Sequence, residues 1–134
     1  MTIRVLVADD QAMIRGALAG LLDLERDIEV VAQAADGTQA LDELARLASA
    51  DAPAHASAPV DVAIIDIEMP RMDGITATQA IRSRFPGVRV LIVTTFGRPG
   101  YLQRALDAGA TGFMVKDAPV ETLADGVRTV AAGG

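Results

Sequence analysis

Acidic side chains directly follow two apolar segments of the sequence. Asp9 and Asp10 come after residues 3–8, and Asp66 comes after residues 60–65. Carboxylates that are brought together repel one another, and one of them holds a proton at neutral pH unless a cation lies among them. If the fold joins these two segments, the three residues would form a cation site.

The ligand types that the chain can offer limit the metal. The sequence contains no cysteine, and its single histidine, His55, lies among alanine, serine, proline and aspartate, where it is expected to be solvated. The remaining ligands are carboxylate oxygens. Together with retained waters, they favour magnesium over zinc.

Two further segments end in residues that can contact a phosphoryl group or a carboxylate. Thr94 and Thr95 follow residues 88–93, and Lys116 follows residues 111–115. Lys116 is the only lysine of the sequence, since every other basic residue is an arginine. A lysine ammonium meets a phosphoryl oxygen as a point charge, without the planar fork of a guanidinium. A single lysine could also be chance, and a threonine often ends a strand.

These segments belong to a regular alternation of strands and helices. Short runs rich in β-branched residues predict strands, and apolar residues at helical spacing predict the helices between them. The predicted strands cover residues 3–8, 28–34, 60–65, 88–93 and 111–115, and the predicted helices cover residues 11–24, 38–47, 75–85, 101–108 and 120–132.

This alternation predicts an α/β fold with a parallel sheet covered on both faces, because parallel neighbours need right-handed crossover connections. We assign the flavodoxin-like strand order 2-1-3-4-5. In such sheets, ligands bind outside the carboxyl ends of the strands, where the strand order reverses. The acidic residues, Thr94 and Lys116 are therefore expected to converge at one edge.

The first helix has a wider apolar arc than one contact with a sheet requires. With a rotation of about 100° per residue, Leu22 lies about 80° to one side of the centre of this arc and Leu24 about 80° to the other. Part of this flank is therefore expected to be exposed. The centre of the arc is assigned to Ile14, Leu18 and Leu21.

Composition limits the class of protein. The chain has 134 residues, of which 51% are hydrophobic and 22% charged, which fits one globular domain over residues 1–134. Its 12 basic and 18 acidic residues give a formal net charge of −6, which would repel a nucleic-acid backbone. The chain alone is therefore not expected to bind DNA.

Other features of the sequence bear on its compartment. The absence of cysteine excludes disulfides and thiolate zinc sites and suits a reducing environment. No segment has the roughly 18 consecutive apolar residues of a membrane span, and the first carboxylates come too early for a secretory signal. We expect a cytoplasmic protein without a membrane partner. Residues 48–59, ASADAPAHASAP, predict a low-complexity surface loop.

Taken in order, the candidate residues resemble the receiver domain of two-component response regulators over the whole chain. The motifs are Asp9-Asp10, DIEMPRMDG beginning at Asp66, VTT at residues 93–95 and GATGFMVKD around Lys116. The DGxxAL-like segment from Asp36, the VTTF run and the pair Lys116-Asp117 resemble the NarL/FixJ branch. Members of that branch usually carry a LuxR-type helix-turn-helix after the receiver, so a DNA-binding domain is expected outside this chain.

The resemblance implies roles for the acidic residues. Asp66 would be the phosphoacceptor, which receives a phosphoryl group from a sensor histidine kinase or from a small donor such as acetyl phosphate. Asp10 and Asp66 would bind Mg²⁺ directly, and Asp9 would hold it through water. The backbone carbonyl of Glu68 would complete the protein ligands.

The resemblance also implies a switch and an output. Thr94 and Lys116 would contact the phosphoryl oxygens, and Phe113 would take the aromatic switch position, although a half-buried aromatic is also ordinary strand core. Phosphorylation would remodel the surface of helix 4 and strand 5 and promote a homodimer, through that surface or through helices 1 and 5. Ala124 and Ala131, beside the apolar stripe of the fifth helix, are expected to admit a symmetric partner.

A signalling phosphoacceptor, rather than a turnover enzyme, is the favoured interpretation, and three others stay open. An aspartyl-phosphate phosphohydrolase typically has a second aspartate two residues after the nucleophile, where this chain has Glu68. A nucleotide- or flavin-binding module needs a phosphate-binding first loop, where Asp9 and Asp10 would repel phosphate. A pseudo-receiver that acts by contact alone would not need the complete acidic set.

Overall fold

The computed structural model describes residues 2–49, 58–95, 100–116 and 118–133. Most of the predicted loop at residues 48–59, including His55, lies outside the described residues, as do Phe96 and Asp117. In the described part, no helix is both long enough and apolar enough to cross a membrane. The elements are β1 (Ile3–Ala8), α1 (Ala12–Asp23), β2 (Ile28–Ala34), α2 (Gly37–Ser49), β3 (Val62–Ile65), α3 (Gly74–Arg84), β4 (Arg89–Thr94), α4 (Tyr101–Asp107), β5 (Gly112–Val115) and α5 (Val120–Ala131).

The strands form one parallel sheet in the order β2-β1-β3-β4-β5, which confirms the predicted fold class. The strand order reverses between β1 and β3, because the chain first adds β2 on one side of β1 and then β3 on the other. At their carboxyl ends, Ala8 pairs with Ile65, and Thr94 pairs with Val115. The residues that follow these positions therefore start from the same edge of the sheet.

Helices cover both faces of the sheet because successive side chains of a strand point to opposite sides. Leu6, Ile65 and Ile92 belong to one buried cluster, which also contains residues of α2, α3 and α4. Val5 and Val7 belong to the other cluster, which contains residues of α1 and α5. Strands that are buried on both faces explain the nearly continuous apolar runs in the sequence.

Strand boundaries differ from the predicted ones at β3, β4 and β5, of which β4 and β5 each begin one residue later than predicted. β3 begins at Val62 rather than at residue 60. At Asp61, the side-chain carboxylate rather than a backbone carbonyl accepts from the Arg4 amide of β1, at 2.8 Å, so the regular backbone pairing starts after this residue. β4 ends at Thr94, which is therefore the last residue of the strand rather than the first residue after it.

The predicted centre of the apolar arc on α1 was wrong. Leu22, expected at the flank, is fully buried, whereas Leu21, expected at the centre, is 44% exposed; Leu24 is exposed, as expected. Arg15 gives the physical reason, since its Nη1 donates to the backbone carbonyl of Asp9 at 2.7 Å. This bond turns the face that carries Arg15 and Leu22, seven residues apart, toward the sheet.

The apolar stripe of α5 is confirmed, but one expectation about its small residues was wrong. Leu123, Val127 and Val130 are buried, and so is Ala124, at 1% exposure. Because α5 packs on the sheet and also contacts α1, a wide arc of the helix is covered. Ala124 therefore cannot receive a second copy of the chain, whereas Ala131 is only half-buried.

The loop between β3 and α3 is fastened to the start of α2. The Gly37 amide donates to the Met72 carbonyl at 3.0 Å, and the buried Asp36 carboxylate accepts from Arg71 Nε at 2.6 Å. Arg71 has a φ of +64°, in a left-handed conformation that costs a non-glycine residue about 1–3 kcal/mol. These contacts hold the chain that leaves the carboxyl end of β3 in one path.

Gly74 lets α3 begin against the strand end that carries Asp66. An added Cβ at Gly74 would lie 2.0 Å from the Asp66 carbonyl oxygen, whereas nothing lies within 4 Å of an added Cβ at Gly20 in α1.

We expect Gly74→Ala to lower the free energy of unfolding by about 1–3 kcal/mol or more, because the backbone must shift. Gly20→Ala should raise it by roughly 0.5–1 kcal/mol, since alanine favours the helix. Urea denaturation measures both, and a Gly74→Ala variant as stable as the parent chain would contradict the close approach.

Candidate functional site

Backbone hydrogen bonds of the sheet fix the residues at its carboxyl edge. The amide of Asp9 donates to the Ala34 carbonyl at 3.0 Å, and the amide of Asp66 donates to the Ala8 carbonyl at 3.0 Å. The amide of Lys116 donates to the carbonyl of Thr94 at 2.7 Å. Each residue continues the parallel pairing by one position beyond its strand. The site is therefore built on the sheet itself.

Asp9 is buried and has two different oxygens. Its Oδ1 accepts from the Gln11 amide at 2.9 Å. Its Oδ2 lies 2.7 Å from Lys116 Nζ as an ion pair, but among the described residues it has no donor in hydrogen-bond geometry. This oxygen therefore keeps the capacity to bind a cation. Neither Asp9 nor Asp10 is the N-cap of α1, because that position belongs to Gln11.

Asp66 and Lys116 form a second ion pair in the site. Lys116 Nζ donates to Asp66 Oδ2 at 2.9 Å, and the Asp66 residue is 5% exposed. Burial raises the pKa of Asp66, and the bonds from Lys116 and the Thr94 hydroxyl only partly offset this. Burial would lower the pKa of Lys116, but its contacts with the Asp9 and Asp66 carboxylates outweigh burial and raise it. Lys116 is therefore held as a cation.

The expected convergence of the three carboxylates is confirmed. One oxygen each of Asp9, Asp10 and Asp66 lie within 4.8 Å of one another. Three carboxylates against one ammonium leave an excess of negative charge at this edge. Hard divalent cations prefer such oxygen ligands, so the cluster can hold one.

A cavity of about 190 Å³ opens beside this cluster. Thr94 is buried beneath it, at 1% exposure, so its hydroxyl reaches the site through Asp66. Glu68 is exposed, and its Oε1 accepts from the Tyr101 hydroxyl at 3.1 Å. The residues that line the cavity are Asp10, Gln11, Asp66, Glu68, Thr95 and Lys116.

Phe113 lies on β5, the edge strand that leads to Lys116. It is half-buried and packs against the cluster shared with α2, α3 and α4. This packing is typical of ordinary strand core, and the role of Phe113 as a switch stays a prediction. Met69 and Met72 of the β3–α3 loop pack against the same cluster.

Two residues of the site were not among the sequence candidates. Gln11 lines the cavity, as does the candidate Thr95, and directly follows Asp10, so adjacency was the available signal. Tyr101 reaches the cavity from α4 through Glu68. No pattern at the sequence level joins residues 68 and 101, because their contact depends on how α4 is placed.

Comparison with known proteins identifies the family. Residues 5–128 match the response regulator receiver domain. A curated relative, the transcriptional regulatory protein DesR of Bacillus subtilis, is 40% identical over 131 residues, which cover 98% of this chain and 59% of DesR. The chain spans about three fifths of the length of the curated relatives DesR and YvfU.

Solved structures agree with this match. The signal receiver domain of the response regulator NarL from Mycobacterium tuberculosis superposes with a TM-score of 0.85 at 33% identity, covering 99% of this chain and 98% of that chain. A LuxR-family DNA-binding response regulator from Staphylococcus aureus gives a TM-score of 0.79 at 31% identity, with coverage of 96% and 98%. NarL- and LuxR-type transcriptional regulators are therefore among the relatives of this chain. The chain belongs to the response regulator receiver domain family.

Proposed function

We propose that residues 1–134 form a single receiver domain in which Asp66 accepts a phosphoryl group from a sensor histidine kinase. The observation that carries this proposal is the buried Asp66 carboxylate, which Lys116 Nζ contacts at 2.9 Å at the wall of an acidic cavity. A carboxylate at a cavity can serve as a nucleophile, and a fixed ammonium beside it can stabilise the added phosphoryl charge.

We propose Mg²⁺ as the cation of this site. The donors are all oxygens, and the Oδ2 of Asp9 retains the capacity for a further positive partner. Asp10 and Asp66 would bind the ion directly, Asp9 through water, and the Glu68 backbone carbonyl would complete the protein ligands. The ion would offset the carboxylate charge and stabilise charge on the phosphoryl oxygens.

The transfer is an in-line substitution at phosphorus. A carboxylate oxygen of Asp66 forms the new bond, and the bond from phosphorus to the phosphohistidine nitrogen or to the acetate oxygen breaks. Its electron pair leaves with the donor. Lys116 moves its contact from the carboxylate to a phosphoryl oxygen, and the Thr94 hydroxyl donates to another.

The signal then passes to the α4 and β5 surface. Once Thr94 turns toward the phosphoryl group, the space beside it can admit Phe113, which changes the surface formed by these two elements. Leu102, Leu106 and Val115 are exposed apolar residues on α4 and β5, which supports a role of this surface in contacts. Phosphorylation would strengthen a homodimer through this surface or through α1 and α5.

The output is proposed to be transcriptional. DesR is named as a transcriptional regulatory protein and is longer than this chain, so a helix-turn-helix domain outside the sequence would bind DNA. The receiver itself, with its net charge of −6, would not. The absence of cysteine is consistent with the cytoplasm, where the kinase domain and DNA would meet this protein.

A phosphohydrolase or a phosphorylation-independent module has less support. The residue two positions after Asp66 is Glu68, and its carboxylate bonds the Tyr101 hydroxyl. A module that acts by contact alone would not need a cluster of three carboxylates, two of them buried, with a paired lysine. The domain is therefore proposed to catalyse only its own phosphorylation and dephosphorylation.

Phosphorylation of Asp66 can be tested by intact mass. Incubation with acetyl phosphate and Mg²⁺ should add one phosphoryl group, because the carboxylate, the ammonium and the cation site lie together. Asp66→Asn and EDTA should each abolish the addition. Equal labelling of the Asp66→Asn variant would place the acceptor elsewhere.

Mg²⁺ should stabilise the fold by relieving the repulsion within the acidic cluster. At tenfold excess over the dissociation constant of one site, the gain is about 1.4 kcal/mol, which raises the melting temperature by a few degrees. Without metal, Asp10→Ala should be as stable as the parent chain or more so, and its melting temperature should not respond to Mg²⁺. An unmutated protein whose melting temperature ignores Mg²⁺ would count against the site.

Self-association can be measured by light scattering over a concentration series, with and without beryllofluoride as the phosphoryl mimic. We expect weak association that the mimic strengthens. Leu106→Glu on α4 and Leu24→Glu at the C-cap of α1 place a charge on exposed residues of the two candidate surfaces, so the variant that abolishes association identifies the surface. A monomer under both conditions at high micromolar concentration would exclude the dimer.

A further inference from the structure

Tyr101 connects the acidic cavity to α4. Its hydroxyl donates to Glu68 Oε1 at 3.1 Å, and its half-buried ring packs against the core cluster on the α4 side of the sheet. Glu68 lies two residues after Asp66 and lines the same cavity. The bond therefore joins the loop that leaves the carboxyl end of β3 to the first residue of α4.

The position of the Glu68 carboxylate affects the charge of the cavity. Glu68 adds a carboxylate to a wall that already contains Asp10 and Asp66, while Lys116 is the one cationic residue among the described residues of that wall. A phosphoryl group brings roughly 1.5 to 2 further negative charges at neutral pH. Repulsion between this group and Glu68 falls as the carboxylate is held farther from Asp66.

We propose that Tyr101 is a positioning residue for phosphoryl transfer, which holds the Glu68 carboxylate on the α4 side of the cavity and so lowers the repulsion of the incoming anion. This inference rests on the proposed phosphorylation of Asp66. The ring of Tyr101 packs against the core, whereas only its hydroxyl makes the bond to Glu68. Tyr101→Phe therefore separates positioning from packing.

The bond itself can be observed without any phosphoryl donor. Tyr101 is the only tyrosine of the sequence, and there is no tryptophan, so the intrinsic emission reports on this one side chain. A carboxylate that accepts from a phenol hydroxyl quenches its emission. Glu68→Gln should therefore raise the emission, whereas Asp10→Asn, which neutralises another carboxylate of the same wall, should leave it unchanged. Equal emission of the parent chain and Glu68→Gln would overturn the proposed contact.

The functional test measures three quantities in the presence of Mg²⁺. The first is the concentration of beryllofluoride that half-saturates the domain. The others are the half-saturating concentration of acetyl phosphate and the maximal rate of phosphorylation with it. Tyr101→Phe should raise both half-saturating concentrations about threefold or more, with the maximal rate largely retained. Glu68→Gln should lower them, and Tyr101→Phe added to Glu68→Gln should have little further effect, because no charge remains to be positioned.

A matched control separates this effect from a loosened α4. Gln103 on the same helix bonds Asp107 at 2.8 Å, so Gln103→Ala removes a side-chain bond of α4 away from Glu68 and should leave the half-saturating concentrations unchanged. If the parent chain labels normally and Tyr101→Phe has the same half-saturating concentrations, the inference fails while the proposed function stands. If the parent chain does not label at all, both fail.

Discussion

The repulsion among three carboxylates, held around one ammonium at the edge of a sheet, is the constraint on which the rest of the structure depends. Asp9, Asp10 and Asp66 would separate if they were free, and Lys116 neutralises only part of their charge. The sheet holds them together, because the amides of Asp9, Asp66 and Lys116 bond to carbonyls of neighbouring chain segments. The free energy of packing two apolar clusters thus maintains an arrangement that electrostatics alone would disperse.

The same constraint explains how much of the site could be predicted. Asp9 and Asp66 are 57 positions apart in the sequence, but both follow apolar runs that are typical of buried parallel strands. Once the strand order is assigned, the carboxyl ends of β1 and β3 must be neighbours, and the acidic cluster follows. Thr94 and Lys116 obey the same rule at β4 and β5, so periodicity and topology were sufficient for these positions.

Contacts made by loops and by the rotation of helices could not be predicted in this way. The Asp36–Arg71 pair and the Tyr101–Glu68 bond each join a loop residue to the start of a helix, and no sequence period encodes that path. The rotation of α1 was misjudged for a related reason. An apolar arc as broad as that of α1 allows several orientations on a sheet, and the bond from Arg15 to the Asp9 carbonyl selects one of them.

The attachment of the acidic residues to the sheet also sets where the domain can move. An amide bonded within the central strands exchanges with solvent only when those strands separate, at a free energy near that of global unfolding. Asp66 therefore belongs to the most cooperative part of the molecule, whereas its neighbours on the β3–α3 loop and at the start of α4 are held by contacts outside the sheet, among them the bonds from Arg71 to Asp36 and from Tyr101 to Glu68. The Asp66 carboxylate is thus a fixed reference point at the edge of the sheet, and any rearrangement around it falls to the segments outside the strands.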